Sequence, residues 1–137
     1  MPLKHQRVKI SIRYCEHPTE GVDPQSWVPP SWNEALDHIP ERQHDGIKAK
    51  MLARREVLKK GDKLRSPDHW NTEAKLPNNK HFYAIKANKI RAYGWFSGQY
   101  NGVFYISHFT FKEGEKLAKK DHKRVIANWR KIEEKRG

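Results

Sequence analysis

The residues best suited to chemistry lie in and just beyond the stretch IRAYGWFSGQYNGVFYISHFTFKEGEK, residues 90–116. Arg91 has a planar guanidinium that can donate two hydrogen bonds to one phosphate. His108 has an imidazole that can exchange a proton near neutral pH. Lys112 and Lys116 add two further cations. These residue types are suited to holding a polyanion and to moving a proton beside it.

Two predicted strands position these side chains, because both aromatic-rich runs around the turn at 97–102 have the period-two pattern of a strand. One face of the first strand is predicted to carry Arg91, Tyr93 and Trp95. One face of the second is predicted to carry Phe104, Ile106, His108 and Thr110. Cations beside Tyr and Trp rings suit RNA, since the cations bind phosphates and the rings stack on bases. The alternative is that the rings pack in the core and that His108 is a structural hydrogen-bonding group.

Further elements are predicted on both sides of this hairpin. The segment RVKISIRY, residues 7–14, alternates as a strand, and residues 17–30 contain four prolines and form a loop. Ser31 and Glu34 have the spacing of a capping box, which predicts a short helix from Ser31. A second helix is predicted from Pro40 to about Gly61. Its buried face is predicted to carry Ile47, Met51 and Leu58.

Three strands and a final helix are predicted in the second half of the chain. The strands cover residues 81–86, 90–96 and 103–111 and form an antiparallel meander, and the helix covers about 115–134. Its inward stripe is Ala118, Val125, Trp129 and Ile132, and its outward residues are Lys119, Lys120, Lys123 and Arg130.

Composition limits the class of protein. A chain of 137 residues predicts one domain, and 28 Lys and Arg against 16 Asp and Glu give a net charge of +12, which favours a nucleic-acid partner. Cys15 is the only cysteine, so a disulfide framework and a thiolate metal site are excluded. The histidines are scattered without a metal-binding motif. The sequence contains no long apolar run of the kind that would predict a signal peptide or a membrane span, so we expect a cytoplasmic protein.

The order of these elements and several short motifs resemble the RelE/ParE toxin superfamily, and more closely its HigB-like and phage-derived branch. The similar segments are GDKL at residues 61–64 with Pro67, HFYAIK, IRAYGWF and SHFTFKEGEK. Glu113 stands where the family often has the second lysine of a pair. The resemblance implies an α+β, RelE-like fold: an antiparallel sheet of about four strands, an N-terminal helical hairpin and a C-terminal helix.

The resemblance also implies a function. It implies a small toxin that cleaves mRNA, usually on the ribosome, without a metal or cofactor, and that is held inactive by a cognate antitoxin, a small helix-turn-helix protein. Lys86 and Arg91 match the family's basic positions, and with His108, chosen for its imidazole, and Lys112 they form the predicted catalytic set. The RNA-binding set is Lys116, Lys119, Lys120, Tyr93 and Trp95.

Two alternative functions remain open at this stage. The first is a non-enzymatic DNA gyrase inhibitor of the ParE-like branch, whose members lack the catalytic bases. The second is a basic nucleic-acid-binding phage accessory protein. Growth arrest with truncated mRNA would distinguish the ribonuclease from both.

Overall fold

The computed structural model describes residues 8–16, 29–114 and 116–134. The strands are β1 (Ser11–Tyr14), β2 (Trp70–Lys75), β3 (His81–Ala87), β4 (Ile90–Phe96) and β5 (Val103–Phe111). The helices are α1 (Pro30–Leu36), α2 (His44–Lys59) and α3 (Lys119–Glu133), with a short 3-10 turn at Glu41–Gln43. The α+β class, the helix pair that follows the first strand, the three-stranded meander and the C-terminal helix are therefore confirmed.

The sheet differs from the prediction in its size and its strand directions. It has five strands in the order β1-β5-β4-β3-β2, and β1 pairs with β5 in parallel. The predicted sheet was antiparallel with about four strands. The additional strand is β2, whose sequence WNTEAK mixes polar and apolar residues without a clear alternation. Pairing with β3 stabilises it despite this weak local pattern.

Helices cover both faces of the sheet, which creates two hydrophobic cores. On the first face, α1 and α2 pack over a core that includes Trp32, Ile47, Met51, Ile85 and Ile106. On the second face, α3 packs over a core that includes Phe82, Tyr93, Trp95, Val125 and Trp129. The predicted inward residues Ile47, Met51 and Leu58 of α2 and Val125 and Trp129 of α3 are buried, and Ile132 is half-buried. Ala118 is exposed at the N-cap of α3, so its predicted inward position is wrong. The outward lysines and arginine of α3 are exposed.

A β-bulge in β5 changes which side chains share a face. Tyr93 pairs with His108 and Gly94 pairs with Ile106, so Ser107 is an extra residue without a partner in β4. Before the bulge, Ile106 belongs to the first core and Tyr105 to the second. After it, His108 lies opposite Tyr93 on the second face. The prediction that Phe104 and Ile106 share a face with His108 and Thr110 is therefore wrong, because strict alternation does not continue across a bulge.

The start of α1 also differs from the prediction. Pro29 is the N-cap and Pro30 the first helical residue, and no side chain caps the helix. Ser31 instead donates from its amide and its hydroxyl to the Glu16 carboxylate, at 3.0 and 2.6 Å. Its hydroxyl oxygen accepts the Phe109 amide at 2.9 Å. Ser31 therefore joins α1 to β5 and to the end of β1, and the predicted capping box is wrong.

Parts of the predicted organisation lie outside the described residues. These parts include residue 7 of the first predicted strand and residues 17–28 of the predicted loop. A single domain over residues 1–137 stays a prediction. In the described part of the chain, no helix has both the length and the apolar character needed to span a bilayer.

Candidate nucleic-acid site

Four charged side chains lie near one another on the second face of the sheet. Lys86 and Arg91 lie directly opposite each other on β3 and β4, and Lys112 follows the end of β5. Glu73 comes from the edge strand β2, and its carboxylate interacts with the charges of all three cations. The sheet therefore brings three of the predicted catalytic residues together around a carboxylate that the sequence analysis did not select.

The surroundings of these groups shift their proton affinities in opposite directions. Burial raises the pKa of Glu73, although the charges of Lys112, Arg91 and Lys86 oppose the shift. Burial, together with the charges of Arg91 and Lys112, lowers the pKa of Lys86. The carboxylate therefore accepts a proton more readily than an ordinary glutamate, and the ammonium releases one more readily than an ordinary lysine.

Backbone carbonyls, rather than acidic side chains, hold the two strand cations in place. Arg91 donates from Nη1 to the carbonyls of Asn88 at 2.7 Å and Ile90 at 3.1 Å. Lys86 donates from Nζ to the carbonyl of Pro67 at 2.8 Å. Burial lowers the pKa of Arg91, and its Nε is buried without a hydrogen-bond partner. One Glu73 carboxylate oxygen is likewise buried and unpaired. Among the described residues neither atom has a partner, and both are enclosed by protein, so the structure as it stands does not expose them to a ligand.

A cleft of about 350 Å³ lies beside this cluster, between α1, the end of β5 and the start of α3. Its cationic lining residues are Lys112, Lys116, Lys120 and Arg124. Its acidic lining residues are Glu34, Glu113 and Asp121. Phe111 also lines the cleft, and its ring stacks on His38 with the centroids 4.9 Å apart. The lining thus combines four cations and three acids with an aromatic surface.

His108 borders this cleft but is almost fully buried, with 1% of its surface exposed. Its Nε2 lies 2.9 Å from Asp121 Oδ1, and its Nδ1 lies 2.8 Å from the Ser107 hydroxyl oxygen. The Asn128 amide donates to the same hydroxyl at 2.8 Å. A neutral imidazole that donates to Asp121 and accepts from Ser107 satisfies this network. His108 therefore joins β5 to α3, and neither ring nitrogen is free to reach a substrate.

Tyr93 and Trp95 do not form a stacking surface. They are 1% and 0% exposed, because α3 covers the part of the sheet where they lie. The Trp95 ring stacks on Tyr105, with centroids 5.6 Å apart. The prediction that these two rings stack on RNA bases is wrong, and the alternative of core packing is confirmed. Burial, together with the negative charges of Glu73 and Asp121, raises the pKa of Tyr93.

The remaining predicted RNA-binding residues are on the surface. Lys119 and Lys120 form the first turn of α3, and Lys116 precedes it. All three are exposed, and Lys116 and Lys120 line the cleft whereas Lys119 does not. Sequence reasoning missed Glu73 because β2 was not predicted. Glu73 lies on the strand next to the one that carries Lys86, so it could have been found only if residues 70–75 had been predicted as a strand of the sheet.

Comparison with other proteins adds no assignment. No model of a known protein family, no curated protein and no solved structure matches this chain. Within residues 8–16, 29–114 and 116–134, no group of His, Cys, Asp and Glu side chains is placed to hold a metal ion. The features of the chain that bear on its function are therefore the cluster around Glu73 and the neighbouring cleft.

Proposed function

We propose that the protein is the toxin of a type II toxin-antitoxin system, a metal-independent endoribonuclease that cleaves mRNA on the ribosome and inhibits translation. The observation that carries the proposal is the cluster of Lys86, Arg91 and Lys112 around Glu73, beside a cleft that Lys116, Lys120 and Arg124 also line. The cluster contains a proton acceptor, phosphate-binding cations and a proton donor, which are the groups that RNA cleavage needs.

The reaction follows from the properties of these groups. Glu73 removes the proton from a ribose 2′-hydroxyl, whose oxygen then attacks the neighbouring phosphorus. Arg91 donates hydrogen bonds to the phosphate oxygens that gain negative charge. The bond from phosphorus to the 5′-oxygen breaks, and Lys86 supplies a proton to that oxygen. The products are a 2′,3′-cyclic phosphate and a 5′-hydroxyl, and Lys112 holds the phosphate throughout.

The cleft extends this site along the substrate. Lys116, Lys120 and Arg124 provide cations for the phosphates on either side of the cleaved bond. The net charge of +12 attracts RNA and the ribosome over a longer range. In this proposal His108 is a positioning residue, because it holds α3, and therefore Lys120 and Arg124, against β5.

A second candidate is a protein that binds nucleic acid or gyrase without cleaving RNA. The burial of His108 favours it, because one of the expected proton-transfer groups is not accessible. The two candidates make different demands on Glu73. A ribonuclease needs a carboxylate with a raised pKa among the phosphate-binding cations, because that carboxylate removes a proton. A protein that only binds a polyanion does not need it, because the negative charge of the carboxylate weakens binding.

The test uses purified protein and a 5′-labelled mRNA, presented free in the presence of EDTA and, separately, bound to ribosomes in their Mg²⁺ buffer. We expect cleavage that leaves a 2′,3′-cyclic phosphate, and primer extension after expression in cells should show truncated transcripts. Arg91→Ala should lower the cleavage rate about 10²–10³-fold with little change in RNA affinity. Arg42→Ala, at an exposed arginine of the 3-10 turn, is the matched control. Intact transcripts together with trapped gyrase complexes would refute the proposal.

A further inference from the structure

The turn between β4 and β5 carries Asn101, the one asparagine of the chain that is followed by glycine. The turn covers residues 97–102, and the Asn101 side chain is exposed to water. Glycine has no side chain, so the backbone nitrogen after Asn101 is uncrowded. That nitrogen lies in the chain where it can form a five-membered ring with the side-chain amide of Asn101. The sequence and the exposure therefore identify an asparagine that can react with its own backbone.

The two halves of this turn are held differently. Glu133 at the end of α3 accepts hydrogen bonds from the Ser97 hydroxyl at 2.8 Å and from the Gly98 amide at 2.7 Å. In the described part of the chain, no hydrogen bond holds the Asn101 side chain or the Gly102 amide. The first half of the turn is therefore fixed to α3, whereas no described contact restrains the two reacting groups.

The turn between β2 and β3 supplies an internal comparison, because it also exposes asparagines. Asn78 and Asn79 both lie in it. The Asn79 amide donates to the Leu76 carbonyl at 3.0 Å, and the Lys80 amide donates to Asn78 Oδ1 at 3.0 Å. The backbone nitrogen that follows each of these asparagines is thus held by a hydrogen bond and belongs to a residue with a side chain. Exposure is shared by the two turns, but the reactive arrangement occurs only at Asn101.

We propose that Asn101 is a site of spontaneous deamidation that yields isoaspartate. The Gly102 nitrogen bonds to the side-chain carbonyl carbon of Asn101. The bond from that carbon to the side-chain nitrogen breaks, and ammonia leaves with the proton that the Gly102 nitrogen loses. Water then opens the cyclic imide. Opening at the side-chain carbonyl gives aspartate, and opening at the main-chain carbonyl gives isoaspartate, in which the main chain runs through the former side chain.

Isoaspartate at this position changes the contact between β5 and β1. The Gly102 carbonyl accepts the Ser11 amide at 2.8 Å, and the register of the two strands begins with Ser11 opposite Val103. The Val103 carbonyl in turn accepts the Ser97 amide at 2.8 Å, which closes the hairpin. Isoaspartate adds one carbon to the main chain directly before Gly102. The Gly102 carbonyl therefore moves relative to Ser11, and the first hydrogen bond between the two strands is lost.

This modification does not depend on the proposed ribonuclease activity. Arg91 and Lys112 lie toward the opposite end of the β4–β5 pair, where Ile90 pairs with Phe111. Deamidation of Asn101 therefore changes how β1 is held and leaves the charged cluster in place. The inference is tested on the protein alone, without RNA.

The first measurement locates the modification. The full-length protein is incubated folded in mildly alkaline buffer, because the Gly102 nitrogen must lose its proton, and is then digested with trypsin beside an unincubated sample. Residues 92–112 form one tryptic peptide, in which Asn101 is the only asparagine. We expect this peptide to gain the mass difference between an amide and an acid before any other asparagine peptide does. An isoaspartyl methyltransferase should label the same peptide.

Two variants separate the reaction from its consequences. Asn101→Gln keeps an amide but would require a six-membered ring, so its peptide should not become labelled. Asn101→Asp introduces the negative charge without lengthening the main chain. Circular dichroism establishes that both variants are folded before they are compared.

Hydrogen exchange measures the effect on β1. The Ser11 amide of the modified protein should exchange about two- to tenfold faster, as expected for the loss of one hydrogen bond. The Cys15 amide, which donates to the Ile106 carbonyl at 2.9 Å beyond the other end of β1, should change less and is the internal control. In freshly purified Asn101→Asp, exchange at Ser11 should stay within about twofold of the wild type.

Three results would overturn the proposal. Conversion at Asn78 or Asn79 while the peptide of residues 92–112 stays unmodified would show that the reactive arrangement is not at Asn101. Equal labelling of that peptide in Asn101→Gln would assign the change to another residue. Unchanged exchange of the Ser11 amide in protein that contains isoaspartate would remove the predicted effect on β1.

Discussion

Replacing Glu73 with glutamine separates proton transfer from RNA binding more clearly than any other single change. Glutamine keeps the size and polarity of the side chain but cannot accept the 2′-hydroxyl proton. Removing a positioned general base slows a reaction by about 10²–10⁴-fold. We therefore expect kcat for RNA cleavage to fall by that amount while the protein keeps its fold.

The same replacement should strengthen RNA binding. Glu73 places a negative charge among Lys86, Arg91 and Lys112, where a phosphate would bind. If that phosphate lies about 6 Å from the carboxylate, repulsion in the dielectric of bulk water is about 0.7 kcal/mol, or about threefold in affinity. This value is a lower limit, because the partial burial of Glu73 reduces the screening.

The assay is a single-turnover cleavage rate combined with fluorescence anisotropy of an uncleavable RNA that carries a 2′-methoxy group at the cleaved position. Glu41→Gln, at an exposed acid of the 3-10 turn, is the control and should change neither quantity. A Glu73→Gln protein that cleaves at the wild-type rate would refute the assignment of the base. A protein that loses both cleavage and affinity would indicate that Glu73 organises the site.

Three further predictions use simpler measurements. Burial raises the pKa of Glu73 in the folded protein, so the folded state binds the proton more tightly than the unfolded state does. The stability of the wild type should therefore fall, relative to that of Glu73→Gln, as the pH rises from the unfolded to the folded pKa. Melting temperatures of both proteins at about pH 4 and about pH 8 test this direction. Trp129→Ala should lower the free energy of unfolding by about 3–5 kcal/mol in urea titrations, because it leaves a cavity under α3. Replacing both Lys119 and Lys120 with alanine should make RNA affinity less dependent on salt. The slope of the logarithm of the binding constant against the logarithm of the salt concentration, measured between about 50 and 200 mM salt, should become shallower by about 0.7 for each phosphate that the protein no longer neutralises. An unchanged slope would show that the start of α3 does not bind RNA.

The sequence predicted the elements whose pattern is local and repeated. Strands β3, β4 and β5 have alternating aromatic and aliphatic residues, and α3 places Val125 and Trp129 at helical spacing, so each could be recognised alone. Strand β2 could not, because residues 70–75 form a strand only through pairing with β3. Without β2, sequence reasoning also missed Glu73, the one acid in the proposed catalytic cluster.

The errors at the site share a second cause. The bulge at Ser107 depends on how β5 pairs with β4, and no residue type in VFYISHFTF marks it. Likewise, Ser31 has the right spacing for a capping box, but Glu16, fifteen residues earlier, takes both of its donors. The burial of His108 follows from where α3 docks and brings Asp121. Such features depend on contacts between distant segments, which periodicity does not report.

The parallel pairing of β1 with β5 also constrains the order of folding. Arg13 of the first strand lies beside Tyr105 of the last, 92 positions later in the chain. Closing so long a loop is slow relative to forming the local meander. During synthesis, β1 remains without its partner until residues 103–111 have left the ribosome. The edge of the sheet that β1 and β5 form is therefore completed only after β2, β3 and β4 have emerged.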